Sequence, residues 1–530
     1  MKYIKIILLV CLGCIPQIKA ACSPGALPCV VDCNDACNIS VHTTLIPRKI
    51  SQNSVVELGL HNHYHRYAPE RIEDDSWFNA EVTAPYFFKS VHNKKIAHYF
   101  IPNCQECISV GQNNTSTISS PWLVLLANPS LFQSQLCIKP SRKVLGGAIK
   151  LYFNFDHVFP DCSWLSNWWA SVFIPVQQVR HSLHMTETVT GAPGIINGIT
   201  NVTQALNNPE WQFGKWSPIA LKKTGVDDIC IKFGNTLQIN NGHTDVYGLI
   251  FVPTGRGTQS RYLFEPLVGG NHVGLGIGFN GDYLAYSCGS NSVDLMVDMR
   301  YAYFLKHKET RSIDLFNGDL TRYFLVVRPT NTIEPLYGIN FFTREVEVTP
   351  RSMLEFWTAV NFKHCNVHVE VGYDFWYRSK EKIRLPDQDL GVGILDIENR
   401  PALSGTCLTS AHCQRICRSL PTPGVQPPLS HDPTFTSVQS SQAVNEQGTT
   451  GSGNKCCSTF CATPEQCSFL NLDSAANPRA ITNTVYAAIS YDTCWCDHPT
   501  MIGVGGQYEF SAGRSAISQY GIWLKTAISF

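Results

Sequence analysis

A chain of 530 residues with 41 Lys and Arg against 41 Asp and Glu has no net charge to draw it to nucleic acid or to an acidic surface. Charged residues make up only 15% of it and aromatics 11%, against roughly 25% charge in an average soluble domain, which excludes an ordinary water-facing surface over much of the molecule. Its 22 cysteines argue against a reducing compartment and for disulfides formed outside the cytoplasm.

Residues 1–20 read as a signal peptide. Lys2 and Lys5 precede an apolar stretch over 6–15, and Ile18-Lys19-Ala20 offers the small residue that a signal peptidase needs. The stretch is too short to span a bilayer, and no later segment has the required length of uncharged apolar residues, so transmembrane helices are not expected. Removing 1–20 takes away Cys11 and Cys14, leaving an even number of cysteines, and with Lys2, Lys5 and Lys19 gone the formal charge falls to −3. Cys22, after Lys19-Ala20-Ala21, does not sit in a lipoprotein cleavage box.

The segment 21–144 has no period-two pattern and carries Cys22, Cys29, Cys33, Cys37, Cys104 and Cys107. Three arrangements fit it: a periplasmic domain, a plug inside a lumen, or two further strands. Its His61-Asn62-His63-Tyr64-His65 run puts His61, His63 and His65 on one face if extended, a weak candidate for a transition metal. A solvated polar loop is the plainer reading. Cys22, Cys29, Cys33 and Cys37 have the chemistry to hold zinc, but an oxidising compartment favours disulfides.

From about 145 onward, alternation of period two recurs. Ile149, Leu151 and Phe153 oppose Lys150, Tyr152, Asn154 and Asp156; Leu295, Val297, Met299, Tyr301 and Tyr303 oppose Asp294, Met296, Asp298 and Arg300. The clearest hairpin sets Leu354, Phe356, Thr358, Val360 and Phe362 against Glu355, Trp357, Ala359 and Asn361. It then turns near Asn366 and continues with Val367, Val369, Val371, Tyr373, Phe375 and Tyr377 against His368, Glu370, Gly372, Asp374, Trp376 and Arg378. Further strands are expected over 168–176, 211–221, 229–237, 246–252, 273–279, 485–491 and 506–512, with Pro175 and Pro218 marking strand ends or bulges. Strands of about ten to twelve residues are longer than the five or six usual in soluble sheets and cross a membrane when tilted.

The stretch 380–480 is a loop. Its centre is rich in Pro, Ser, Gly, Thr and Gln, and Cys407, Cys413, Cys417, Cys456, Cys457, Cys461 and Cys467 flank that centre. Such a composition forms no apolar core, so disulfides would have to hold it. Seven is odd, so one cysteine would pair elsewhere or with another molecule. Cys494 and Cys496 are two more disulfide candidates.

The last strand alternates Tyr520, Ile522, Leu524, Thr526 and Ile528 with Gly521, Trp523, Lys525, Ala527 and Ser529, and stops at Phe530. This pattern resembles the C-terminal recognition strand of Gram-negative outer-membrane β-barrels, with Tyr520, Gly521, Ile522, Leu524, Ile528 and Phe530 as the matching assembly signal. The resemblance implies an all-β fold: a closed antiparallel transmembrane β-barrel of about 12 strands, 10 to 16 at the outside, over 145–530, with 21–144 as an extension or plug. It also implies outer-membrane lipid and the barrel-assembly machinery as partners. With Phe530 on the periplasmic side, the links near 366, 241–243 and 287–292 fall inside and are short. Those over 254–270, 306–350 and 380–480 fall outside and are long. Two links break the rule: 180–210, inside yet long, and the link around Cys494 and Cys496.

In architecture and composition the chain is also loosely similar to the cysteine-rich major outer-membrane proteins of bacteria with thin or absent peptidoglycan. That similarity implies disulfide-linked neighbours or a homo-oligomer. Inward-facing Lys150, Asp156, Asp228, Lys232, Asp294, Asp298, Arg300, Glu355, Glu370, Asp374, Arg378, Glu509 and Lys525 mix both signs and would line a narrow pore for polar solutes. A closed lumen in which these charges pair and only stabilise the barrel is the plainer alternative.

No GxSxG, HExxH or P-loop stands in the chain, and no cofactor is expected. The function expected is porin-like diffusion of small polar solutes, a disulfide-stiffened envelope, or both. A secreted cysteine-rich β-glycoprotein for binding or adhesion, glycosylated at Asn38, Asn113, Asn114 and Asn201, is the second reading. An outer-membrane enzyme on a barrel scaffold is the third.

Overall fold

The computed structural model describes residues 41–60, 78–111, 118–119, 132–155, 163–165, 167–191, 199–315, 319–327, 336–386, 393–395, 413–415 and 470–530. Twelve of its strands form one sheet that closes on itself: β1 (Phe78–Ser90), β2 (Ser141–Asn154), β3 (Trp168–Ser182), β4 (Ile229–Ile239), β5 (Gly242–Val252), β6 (Gly274–Cys288), β7 (Asn291–Phe304), β8 (Arg351–His364), β9 (Val367–Arg378), β10 (Ala480–Trp495), β11 (His498–Ser511) and β12 (Gln519–Ser529). Each pairs antiparallel with its neighbours in sequence, and β1 pairs with β12 to close the ring. A short strand, Leu221–Val226, adds to β3 outside the ring.

Closure removes both sheet edges, so every wall strand finds a partner on each side. The pleat then sorts side chains. On β12, Tyr520, Ile522, Leu524 and Thr526 are exposed, while Gly521, Trp523, Lys525, Ala527 and Ser529 are buried. The same parity holds on β8 and β9, where Phe362, Val369 and Val371 face out and Glu355, Trp357, Glu370 and Asp374 face in.

One end of the barrel carries four tight turns and the longer link from β2 to β3. Two residues link β4 to β5, β6 to β7, β8 to β9 and β10 to β11, and positive φ at Asn241, Gly289, Cys365, Cys496 and Asp497 suits two-residue hairpins that match the strand twist. Long connections leave the other end and fold over it. Their core joins Phe100, Ile101, Trp211, Trp216, Phe264, Leu320 and Tyr323, and a second cluster gathers Ile313, Val326, Phe342, Val346 and Val348.

The structure changes two expected elements. Residues 211–221 make no wall strand: Trp211 stacks on Tyr323 at 5.1 Å between ring centroids, and Trp216 Nε1 donates to Tyr323 Oη at 2.8 Å. Both indoles bury in the loop cap, so their spacing reflects the cap and not a pleat. The twelfth strand is instead β1, inside the segment 21–144, which moves the start of the wall from 145 to Phe78. Its alternation is broken by an irregularity between Thr83 and Tyr86, where Pro85 has no N–H to give the ladder. Burial runs through Asn79, Glu81 and Thr83, then resumes at Tyr86, Phe88 and Ser90. The exchange also places 183–191 and 199–228 at the loop end with the other long links. The link around Cys494 and Cys496 reduces to the tight turn Cys496-Asp497.

Candidate functional site: a lumen filled by the chain's own N-terminal segment

Residues 41–60 occupy the barrel interior. At the loop end, Thr43 N–H donates to Ser474 O at 2.8 Å and Tyr99 Oη to Thr44 O at 2.6 Å. At the far end, Leu60 N–H reaches Glu370 Oε1 and Oε2 at 3.1 Å. Leu60 lies so close to Gly503 that a Cβ there would meet Leu60 Cδ1 at 2.4 Å, so only glycine leaves room for this seat. Between these ends the segment makes a 3₁₀ turn, Ile50–Gln52, and one turn of helix, α1 (Ser54–Leu58). Asn53 caps α1 by accepting from Val55 N–H and Val56 N–H at 3.1 and 3.3 Å.

The wall answers this segment with charge. Arg48 pairs with Glu355, and with Asp374 at 2.6 Å. Arg300 bridges Glu355 at 2.5 Å and Glu57 at 2.7 Å, and Lys232 reaches Glu57 at 2.5 Å. The result is a buried chain of alternating sign: Asp374, Arg48, Glu355, Arg300, Glu57, Lys232. Lys49 pairs with Asp228 at 2.6 Å. The N–H groups of Ile50 and Ser51 donate to Asp227 at 2.8 and 3.2 Å, and Ser54 N–H donates to Glu355 at 2.8 Å. Lys525 Nζ donates to Gly59 O at 2.6 Å and lies 3.6 Å from Glu81. Charges out of water are tolerated when each has partners, and removing one partner strands the others.

Of the thirteen inward charges expected from the sequence, Lys232, Asp298, Arg300, Glu355, Glu370, Asp374, Glu509 and Lys525 are buried on the inner face and Lys150 lies beside them. Asp298 accepts from Tyr247 Oη at 2.8 Å, Glu370 from Tyr486 Oη at 2.6 Å, and Glu509 from Gln519 Nε2 at 2.7 Å. Arg378 stands at the loop end, donating to Ile46 O at 3.0 Å. Asp294 is half-buried and accepts from Asn361 at 3.1 Å. Asp228 immediately precedes β4, and Asp156 lies outside the described residues. Sequence reading missed the partners Arg48, Lys49 and Glu57, together with Glu81 and Asp227. The adjacent Arg48-Lys49, followed by Glu57 after Val55-Val56, was the available signal.

His42, at the loop end, stacks on Tyr99 at 5.2 Å. Burial, with added repulsion from Lys380 and Arg514, pushes its imidazole down to about 4.

The cysteines correct part of the expected framework. Cys107 is bonded to Cys137, the latter not among the expected candidates; the two sit opposite each other on paired antiparallel strands. Cys104 is also disulfide-bonded. Cys494 and Cys496, expected as disulfides, are free and exposed, Cys494 near the end of β10 and Cys496 in the turn that follows. With Cys288 and Cys365 they place four exposed free thiols at the tight-turn end. Cys22, Cys29, Cys33, Cys37, Cys407, Cys417, Cys456, Cys457, Cys461 and Cys467 lie outside the described residues, as do His61, His63 and His65; Cys413 begins a short strand.

No protein-family model and no curated protein matches the chain. Among solved structures it is similar to an outer membrane channel from Pseudomonas putida F1, at 8% identity and a TM-score of 0.35, covering 86% of this chain and 96% of that one. A Pseudomonas aeruginosa FadL homologue matches at 6% identity and a TM-score of 0.26, over 86% and 90% of the two chains. The translocator domain of the Neisseria meningitidis autotransporter NalP matches at 6% and 0.26, over 90% and 93%. Likenesses this distant bear no weight beside the twelve-stranded barrel itself.

Proposed function

We propose that this chain is a bacterial outer-membrane β-barrel whose polar lumen is a path for small polar solutes, shut at rest by residues 41–60. The observation that carries the reading is the pairing of this segment with the wall through Arg48, Lys49 and Glu57. An outward face of Val, Ile, Leu, Phe and Tyr on closed strands is what hydrocarbon requires, since all backbone polar groups are spent in the ladder. A lumen lined with both signs, once vacated, would admit water and polar solutes by diffusion. In this reading 1–20 directs export, and the strand from Tyr520 to Phe530 is presented to the barrel-assembly machinery.

Planar-bilayer recording tests it. The full chain should be nearly insulating, and a variant lacking 41–60 should conduct at least ten-fold more. Porin-like conductance of the full chain, or a deletion variant that assembles into a heat-modifiable barrel yet stays insulating, overturns the reading.

The free thiols of Cys288, Cys365, Cys494 and Cys496 favour a second role, cross-linking to neighbours at the tight-turn end. Non-reducing gels of envelopes should show high-mass species that disappear when these four residues are changed to Ser.

A further inference from the structure

Between the loops and the inserted segment lies a cavity of about 50 Å³ at the loop end of the lumen, bounded by Pro47, Leu267, Phe304, Met353, Trp376 and Arg378. At about 10–15 Å³ for each water-sized occupant, it has room for a compact organic group of a few heavy atoms. Most of this boundary is apolar. Its polar lining holds groups of both signs, among them Arg378, Lys49, Glu309 and Glu381; the guanidinium of Arg378 gives one bond, to Ile46 O, while its Nε and Nη2 have no hydrogen-bond partner, and neither does Trp376 Nε1. Arg378 is only 8% exposed, so bulk water does not serve these groups.

All three unpaired groups are donors. The acids that also border the cavity are already engaged: Glu309 by Arg311, His272 and Thr258, and Glu381 by Asn477 and Arg311. Lys49 is held by Asp228, and Arg256 adds further positive charge to the rim. A buried guanidinium with open donors is costly, and a planar carboxylate matches its fork. An apolar body attached to that carboxylate would lie against Phe304, Met353 and Leu267.

We infer that this cavity is a binding site for a small organic monocarboxylate, its carboxylate held by Arg378 and Trp376 and its apolar body by Phe304 and Met353. Binding here needs no passage through the lumen, so the inference stands or falls separately from the channel reading.

Equilibrium dialysis of the folded, detergent-solubilised full chain with radiolabelled propionate tests it. Propionate should bind at one site, Arg378→Met should weaken it at least ten-fold, and Arg378→Lys should recover part of the loss. Met353→Trp, which keeps Arg378 and fills the cavity, should abolish binding and carries the test if Arg378→Met fails to give a heat-modifiable barrel. 1-Propanol, the same body without charge, should not displace propionate, and neither should inorganic phosphate at equal concentration. No binding by the parent, equal binding by Arg378→Met, or displacement by 1-propanol or by phosphate overturns the inference.

Discussion

On β9, Val369 and Val371 stand exposed while Glu370 and Asp374, on the other side of the same pleat, are buried. The outward side chains are exposed on the sheet surface and, in the proposed membrane setting, need only an apolar solvent. The inward ones are each tied to a named partner, often hundreds of residues away: Glu370 to Leu60 and Tyr486, Asp374 to Arg48. One face is therefore tolerant of exchange among apolar residues and the other is not. A Val on the outside can become Ile with little consequence, whereas an acid inside is one member of a chain of alternating charge.

Three substitutions probe this contrast, beginning with the largest effect. Glu355→Ala removes the carboxylate shared by Arg48, Arg300 and Ser54 N–H and leaves two buried guanidinium groups short of a partner. Urea unfolding of the assembled barrel should show a loss of about 3–5 kcal/mol, with the segment 41–60 becoming accessible to protease. A loss under about 1 kcal/mol would mean that water, and not the inserted segment, already serves those arginines. Val371→Arg places a charge midway along the outward face, where a bilayer should charge about 2–4 kcal/mol. Unfolding from lipid vesicles checks this, and an unchanged stability would remove the lipid-facing role of this face.

The smallest effect concerns pH at the mouth of the lumen. His42 is neutral when docked, with its pKa depressed to about 4 against about 6.5 when free. The released segment binds a proton more readily, so the contribution of docking is complete above about 6.5 and is lost as pH falls towards 4. The melting temperature of the parent should drop more between pH 7 and 4.5 than that of His42→Phe, which keeps the stack on Tyr99. Identical drops would show that His42 is already accessible in the folded protein.

Most of the wall was readable from the chain. Alternation is a local property of successive residues, and wherever a strand has one face in the lumen and one outside, the polar residues fall on one parity. That is why β2, β7, β8, β9 and β12 match the expected faces residue by residue. It is also why β1 escaped notice, since the irregularity at Pro85 reverses the parity halfway. Residues 211–221 misled for the converse reason: aromatic residues packing into an irregular cap mimic a pleat.

The lumen shows where the local signal stops. Sequence alone determined that Glu355, Asp374, Arg300 and Lys232 lie on the side of each pleat opposite the apolar residues, because alternation of period two fixes the face of every strand residue. It left open whether they line water or meet protein. That was decided by tertiary structure, through pairs such as Arg48 with Asp374 and Lys525 with Gly59 O, separated by 326 and 466 positions. Closure of the ring brings such residues together, and no pattern within ten or twenty residues records it.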